Sequence, residues 1–219
     1  MLNFDCLTLK AFFDENIDFF IGARLQKIQQ PTRRDFVFSM RNNGESRKLY
    51  INIYPQMYHT CFMAVVNEEK RSLRTPKHPP MFCMLLRKHI GSGKITDIEQ
   101  IGFERIIKFS IESYDELGDL TTKYLIVEIM GRHSNIILTN QDMRILDCIK
   151  HIDFTVSSVR QLLPGLDYVS PPVQDKTDLT EISETANIDF SSPIQTADKA
   201  ILSAIAGISP LTSREIVYR

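Results

Sequence analysis

Two polar clusters interrupt otherwise apolar runs. Arg132, His133 and Ser134 stand between YLIVEIM and NIIL, and Glu104 with Arg105 precedes IIKFSI. A glutamate, a histidine and a serine are the parts of acid–base and nucleophilic chemistry. Nothing in their spacing brings them within hydrogen-bond reach of one another. The chain also has no nucleophile elbow, Walker loop, dinucleotide fingerprint or HExxH. The expectation is a protein that is not an enzyme. Four cysteines, Cys6, Cys61, Cys83 and Cys148, are scattered without ligand spacing, so neither a metal site nor a cofactor is expected. Arg87, Lys88 and His89 close an amphipathic stretch. Cations there complement a helix C-terminus, and they could equally meet phosphates. Asp5 has the same two readings, an N-cap or a ligand contact from a helix start.

The elements that must position these groups follow from apolar period and punctuation. Asp5 caps a helix holding Leu7, Leu9, Phe12 and Phe13, ending near Asn16 to Asp18. Strands are expected over 23–29, 35–41, 48–53 and 59–66, with Asn42-Asn43-Gly44 as a turn. Residues 68–78 read as a charged, exposed loop. Pro79-Pro80 opens a helix that Gly91 and Gly93 stop, with Met81 and Leu85 turned to the core and Arg87 and Lys88 outside. A second meander covers 94–101, 103–113, 124–138 and 144–150, with an acidic turn at 114–119. Tyr124, Ile126, Glu128 and Met130 should share one face of a strand, with Leu125, Val127 and Ile129 on the other. Gly131 and Asn135 are available for positive φ in the turn that carries Arg132 and His133, which by itself is an ordinary solvated turn. Neighbours on a strand point to opposite faces. Glu104 and Arg105 must therefore involve a strand end, a bulge or burial, and a buried Arg105 would need Glu128 or Asp5 as its carboxylate. Residues 154–163 suggest another helix, stopped by Pro164-Gly165. Beyond Pro171-Pro172 the chain turns polar and acidic. Helices over 196–206 and from Leu211 onward flank a Gly207-Ile208-Ser209-Pro210 turn, and the chain stops inside the last of them.

A chain of 219 residues with 43% apolar content can bury a real core, and its net charge is only −1. The charge is unevenly spread: residues 20–110 hold 16 Lys and Arg against 7 Asp and Glu, while 111–219 hold 9 against 16. A basic segment of this kind suits a phosphate-backbone partner, and equally a solvated sheet surface. It is expected to form a surface patch. No apolar run approaches the roughly 20 residues of a membrane span, Asp5 and Lys10 break any signal-peptide core, and unpaired cysteines suit a reducing cytoplasm.

NFDCLTLKAF, PPMFCMLLRKHIGSGKI, QIGFERIIKF, EIMGRHSNIIL and VRQLLPGLDYVSPP are collinear stretches that together resemble the NFACT family. Names its members carry include fibronectin-binding protein A, RqcH and NEMF, and this chain looks like a bacterial member. The resemblance covers roughly residues 1–172 as an NFACT-N-like domain, with 173–195 as linker. Residues 196–219, with AGISPLTSREI, are similar to the start of the family's helix-hairpin-helix middle region. The implied fold is α+β: two antiparallel β-sheet halves with helices, like the N-terminal domain of formamidopyrimidine-DNA glycosylases. The implied function is recruitment of tRNA to a large ribosomal subunit holding a stalled peptidyl-tRNA, for template-free C-terminal alanine tailing. The ribosome, not the family member, makes the peptide bonds. The tRNA-binding residues that the resemblance implies are Asp5 and an Asp-Arg pair that falls here on Glu104-Arg105, one methylene longer at the acid; the polar turn of Arg132 and His133 is expected to join them in one tRNA-binding centre. Arg87 and Lys88 are the further candidates for phosphate contact. Leu2 stands where a glycosylase has its proline, so DNA repair is not implied. The family's other label suggests a fibronectin-binding surface adhesin as the alternative.

Overall fold

The computed structural model describes residues 4–63, 76–172, 175–179, 188, 190 and 195–219. Helices α1 (Cys6–Asp14) and α2 (Ile17–Phe20) lead into strands β1 (Arg24–Thr32), β2 (Asp35–Asn42), β3 (Glu45–Asn52) and β4 (His59–Phe62). Helix α3 (Met81–Ile90) connects to β5 (Lys94–Gln100), β6 (Ile106–Tyr114), β7 (Leu120–Glu128), β8 (Asn135–Thr139) and β9 (Ile145–Cys148), and α4 (Ala197–Ala204) and α5 (Pro210–Tyr218) follow. The architecture is α+β and mostly antiparallel sheet. The two expected halves are two meanders of one nine-stranded sheet, ordered β4-β3-β2-β1-β5-β6-β7-β8-β9. Their seam is short. Arg24 pairs with Lys94, and the backbone bonds Gly22 N to Ile95 O, Ile95 N to Ala23 O and Leu25 N to Gly93 O complete it. Asn43 and Gly44 turn β2 into β3 with φ of 46° and 84°, the left-handed pair a tight hairpin requires.

One core fills the space between the sheet and helices α1 to α3. It takes Leu9, Phe13 and Phe20 from the first two helices, Phe36 and Phe38 from β2, and Leu125, Val127 and Ile129 from β7 and its exit. The opposite face of β6 to β9 buries Ile106, Ile126, Ile137 and Cys148 under Leu162 and Tyr168. The period-2 division of 124–130 therefore holds, with the odd residues in the first core and Ile126 in the second.

Several expectations are corrected. Helix α3 exists with Pro80 before it and Gly91 after it, but its core face is Phe82, Cys83, Leu86 and Ile90. Leu85 is half-buried and packs against the core as expected, but Met81 is 83% exposed, because the larger apolar arc includes the phenylalanine and excludes the first methionine. Helix α1 ends at Asp14, where the Asn16 side chain donates to Phe12 O and the chain restarts as α2. No helix forms over 154–163. Asp153 Oδ1 accepts from the Thr155 and Val156 amides, and Ser157 Oγ from those of Val159 and Arg160. Short polar side chains thereby replace helical bonds with turns, and Ile152 and Leu162 close the loop with paired backbone bonds. Gly131 takes φ 61° as expected, whereas Asn135 has no positive φ and is fully buried at the start of β8. The end of the fourth expected strand, 64–66, the charged loop at 68–75 and most of the 173–195 stretch lie outside the described residues. Within 175–179, Thr177 bonds across to Ala204 and Ala206, and Lys176 Nζ donates to Leu202 O.

Candidate functional site

The β3–β4 loop, Tyr54 to Tyr58, is what gathers the polar groups. Its tyrosines bracket a proline in YPQMY, and Tyr58 packs against the first core. The Tyr58 ring sits 3.5 Å from where a Cβ on Gly131 would be, so it packs on the turn that carries Arg132 and His133. The Arg105 guanidinium lies 5.3 Å from the same ring's centroid and Nη1 donates to Tyr58 Oη at 3.0 Å. Arg105 also donates to Phe4 O at 3.4 Å, beside Asp5. Arg105 and Glu104 occupy the turn before β6, satisfying the strand-end requirement set by their adjacency.

Further cations join from three other elements. Gly131–His133 forms a single 3-10 turn in which Arg132 Nε donates to His133 Nε2 at 2.9 Å. The Lys150 ammonium donates to Arg132 O at 3.0 Å, and Asn135 holds Lys150 in place through both its backbone N and O. Burial first, then the nearby Arg34 guanidinium, push the Lys150 ammonium below its ordinary value. Arg34 in turn lies 5.3 Å from the Tyr54 ring centroid. Arg34, Lys150, Arg132 and Arg105 with Tyr54 and Tyr58 thus make a continuous basic and aromatic surface. Cations interleaved with flat rings can hold phosphates and stack bases at once. Sequence reading missed Arg34, Tyr54, Tyr58 and Lys150. The two tyrosines around Pro55 in a polar loop were the available signal.

The remaining candidates are placed differently. Asp5 is 5% exposed and does not reach Arg105. Oδ1 accepts from the Thr8 amide and hydroxyl at 3.0 and 2.9 Å, and Oδ2 accepts from Ser209 N at 3.3 Å and the Thr212 hydroxyl at 2.5 Å. Burial pushes this carboxyl up, but the bonds from Thr212, Thr8 and Ser209 outweigh it and hold it below its ordinary value. Asp5 therefore caps α1 and anchors the α4–α5 turn together. Glu128 is likewise not the partner of Arg105, since it pairs with Arg160. Arg105 is only half-buried at the strand end, so the condition under which it would need one of these carboxylates does not arise, and a tyrosine hydroxyl, a ring face and a carbonyl serve it. Glu104 lines a separate cleft of about 150 Å3 with Ile101, Phe103, Ser170 and Lys176. Burial raises its carboxyl above the usual range, against the pull of Arg105 and Lys176.

Arg87 and Lys88 stand apart. Ser113 Oγ bonds the carbonyl of neighbouring His89, so this end of α3 lies by the far end of β6, roughly 26 Å from Arg105 at about 3.3 Å per residue. Arg87 Nε donates to Ile28 O, and Lys88 pairs with Glu116 at 2.5 Å. Arg47 and Lys108 are also paired, with Glu45 and Glu99. The basic excess of 20–110 is therefore partly neutralised in place. Asp147, Cys148 and His151 cluster, but His151 is paired with Asp147 and the buried Cys148 thiol, pushed up to about 12 by burial and then Asp147, is engaged with carbonyls.

The model of the NFACT N-terminal and middle domains matches residues 5–219. The chain is 41% identical over 220 residues to the Rqc2 homolog RqcH of Bacillus subtilis, covering 100% of this chain and 38% of that protein. It is 25% identical over 191 residues to the human ribosome quality control complex subunit NEMF, covering 84% of this chain and 16% of NEMF. The crystal structure of the N-terminal domain of fibronectin-binding protein PavA from Streptococcus pneumoniae superposes with a TM-score of 0.85 at 30% identity, over 98% of this chain and 82% of that one. The chain thus spans well under half the length of the curated relatives it matches.

Proposed function

Because the chain belongs to the NFACT family, we propose that it is the N-terminal part of a ribosome quality-control factor that recruits tRNA to stalled large subunits in the cytoplasm, for alanine tailing of the nascent chain. The observation that carries this reading is the Arg105–Tyr58–Gly131 junction, which joins the Glu104-Arg105 and Arg132-His133 stretches into one basic and aromatic surface. RqcH and NEMF bear ribosome quality-control names, which supports the same direction. In this role the protein binds and presents, and the ribosome makes the bond. Arg105, Arg132 and His133 contact RNA directly, Glu104 flanks them, and Asp5 fixes the helix pair behind them. The likeness of the sheet to a formamidopyrimidine-DNA glycosylase domain, and the helix-hairpin-helix character of α4 and α5, belong to this proposal. A second reading comes from the PavA name, which includes fibronectin binding.

The test is to capture the protein from cells, as wild type and as Arg105→Ala, and sequence the RNA that comes with it. Large-subunit rRNA and tRNA with the wild type, and tRNA lost from the folded variant, support tRNA recruitment. Saturable fibronectin binding with no bound RNA overturns it in favour of the adhesin.

A further inference from the structure

VRQLLPGLDYVSPP contributes Arg160 and Tyr168 to a buried site that the RNA-facing surface does not itself contain. Arg160 Nη2 donates to Glu128 Oε1 at 2.5 Å, and the Tyr168 hydroxyl donates to the same oxygen at 2.9 Å. The side chains of Arg160 and Glu128 are 10% and 2% exposed, and the guanidinium lies 5.5 Å from the Tyr168 ring centroid. Burial drives the Glu128 carboxyl up, while Arg160 and Tyr168 oppose it. A buried ion pair of this kind adds little stability over a well-packed apolar replacement, because desolvation offsets the attraction. Its position is more telling than its strength.

Glu128 is the last residue of β7, and it pairs in register with Ile106 on one side and Asn135 on the other. The next amide, Ile129 N, donates to Arg105 O at 2.8 Å. Met130 N then donates to Ser134 Oγ, and His133 N and Ser134 N close the 3-10 turn on Met130 O and Gly131 O. Asn135 holds Lys150. Arg105 and Lys150 are therefore one or two hydrogen bonds from the end of β7, and Arg132 stands in the turn that these bonds close. The loop that supplies Arg160 is closed at its base by the Ile152–Leu162 pair, which holds Arg160 next to the end of β7.

We propose that Arg160, Glu128 and Tyr168 form a brace that sets the position of Arg105 and of the Arg132-His133 turn, Arg160 and Tyr168 acting as positioning residues for the RNA contact. The RNA part of this rests on the function proposed above. The brace itself is testable without RNA. The experiment uses the whole chain and the variant Glu128→Leu/Arg160→Met/Tyr168→Phe, which removes both charges and the hydroxyl and refills the space with apolar groups. The measurements are Tm, amide hydrogen exchange of residues 129–134, and binding of purified bulk tRNA. Expected are a Tm within about 3 °C of wild type, exchange in 129–134 faster by about tenfold or more, and tRNA affinity lower by about tenfold. Unchanged exchange at 129–134 in a folded variant overturns the brace. Arg160→Lys covers the case where the triple variant does not fold, since it keeps the charge and loses the planar fork. Faster exchange of the turn supports positioning, and wild-type exchange in this variant overturns the brace. If the wild type binds no tRNA, the proposed function falls, and the exchange result still decides the brace.

Discussion

Asp5→Ala tests whether one carboxylate joins the first helix to the last two. The substitution removes the acceptor for Thr8 N, an N-cap worth about 1 kcal/mol. It also removes the acceptor for Ser209 N, which is buried, and for the Thr212 hydroxyl. Leaving a buried donor unmet costs about 1–3 kcal/mol, so the sum is about 2–4 kcal/mol. For a chain of this size each kcal/mol moves Tm by about 2–4 °C, giving a fall on the order of 4–16 °C. Asp5→Asn keeps the cap and loses only the second anionic oxygen, so it should fall between wild type and Ala. The sign of the pH dependence follows from the depressed carboxyl. Its stabilisation is present above the unfolded carboxylate range and is lost as pH falls through the lower folded value. The gap between wild type and Asp5→Ala should therefore be full at pH 7 and shrink under acid. Circular-dichroism melts at several pH values measure this directly. A gap under about 0.5 kcal/mol at pH 7, or one that widens under acid, would refute the two-helix anchor.

Tyr58→Phe should lose about 1 kcal/mol of stability with its bond to Arg105, and bind tRNA more weakly than wild type in a gel-shift titration. Arg132→Ala should leave Tm nearly unchanged and lower the slope of log affinity against log salt by about 1, read from titrations at several salt concentrations. Gly207→Ala places a Cβ 2.4 Å from the Phe103 ring at φ 75°. It should lose about 2–5 kcal/mol by denaturant melting. Lys123 is buried, its ammonium lowered by desolvation, with the Ser113 and Thr121 hydroxyls as acceptors. Both hydroxyls keep carbonyl partners without it, so Lys123→Met should melt no lower than wild type at pH 7.

The sheet was legible because its information is local. Alternation in 124–130 and turn residues such as Asn43-Gly44 specify strands wherever the rest of the chain lies. The α3 face was misread because the stretch carries apolar residues on most sides, and three-dimensional packing decided among them. The 154–163 loop defeated propensity through Asp153 and Ser157, whose side chains compete for backbone amides. Within the site, the resemblance singled out Arg105 and the polar turn singled out Arg132, yet only the fold shows that a tyrosine joins them and that Asp5, legible as the cap of α1, also ties down the α4–α5 turn. Tyr58 is 47 residues from Arg105, a distance that no short-range pattern spans.

The bonds between Asp5 and the α4–α5 turn also set an order of events during synthesis. Ser209 N and Asp5 are 204 positions apart, and Cys6 N is held by Gly207 O. At about 5–20 residues per second, α1 would emerge roughly 10–40 s before its second anchor exists. Through that interval its Phe13 face can settle on the nascent sheet while the Asp5 carboxylate carries only the Thr8 contacts. The start of the chain is then secured last, and a polypeptide cut short before position 207 would keep its strands yet hold a loose first helix.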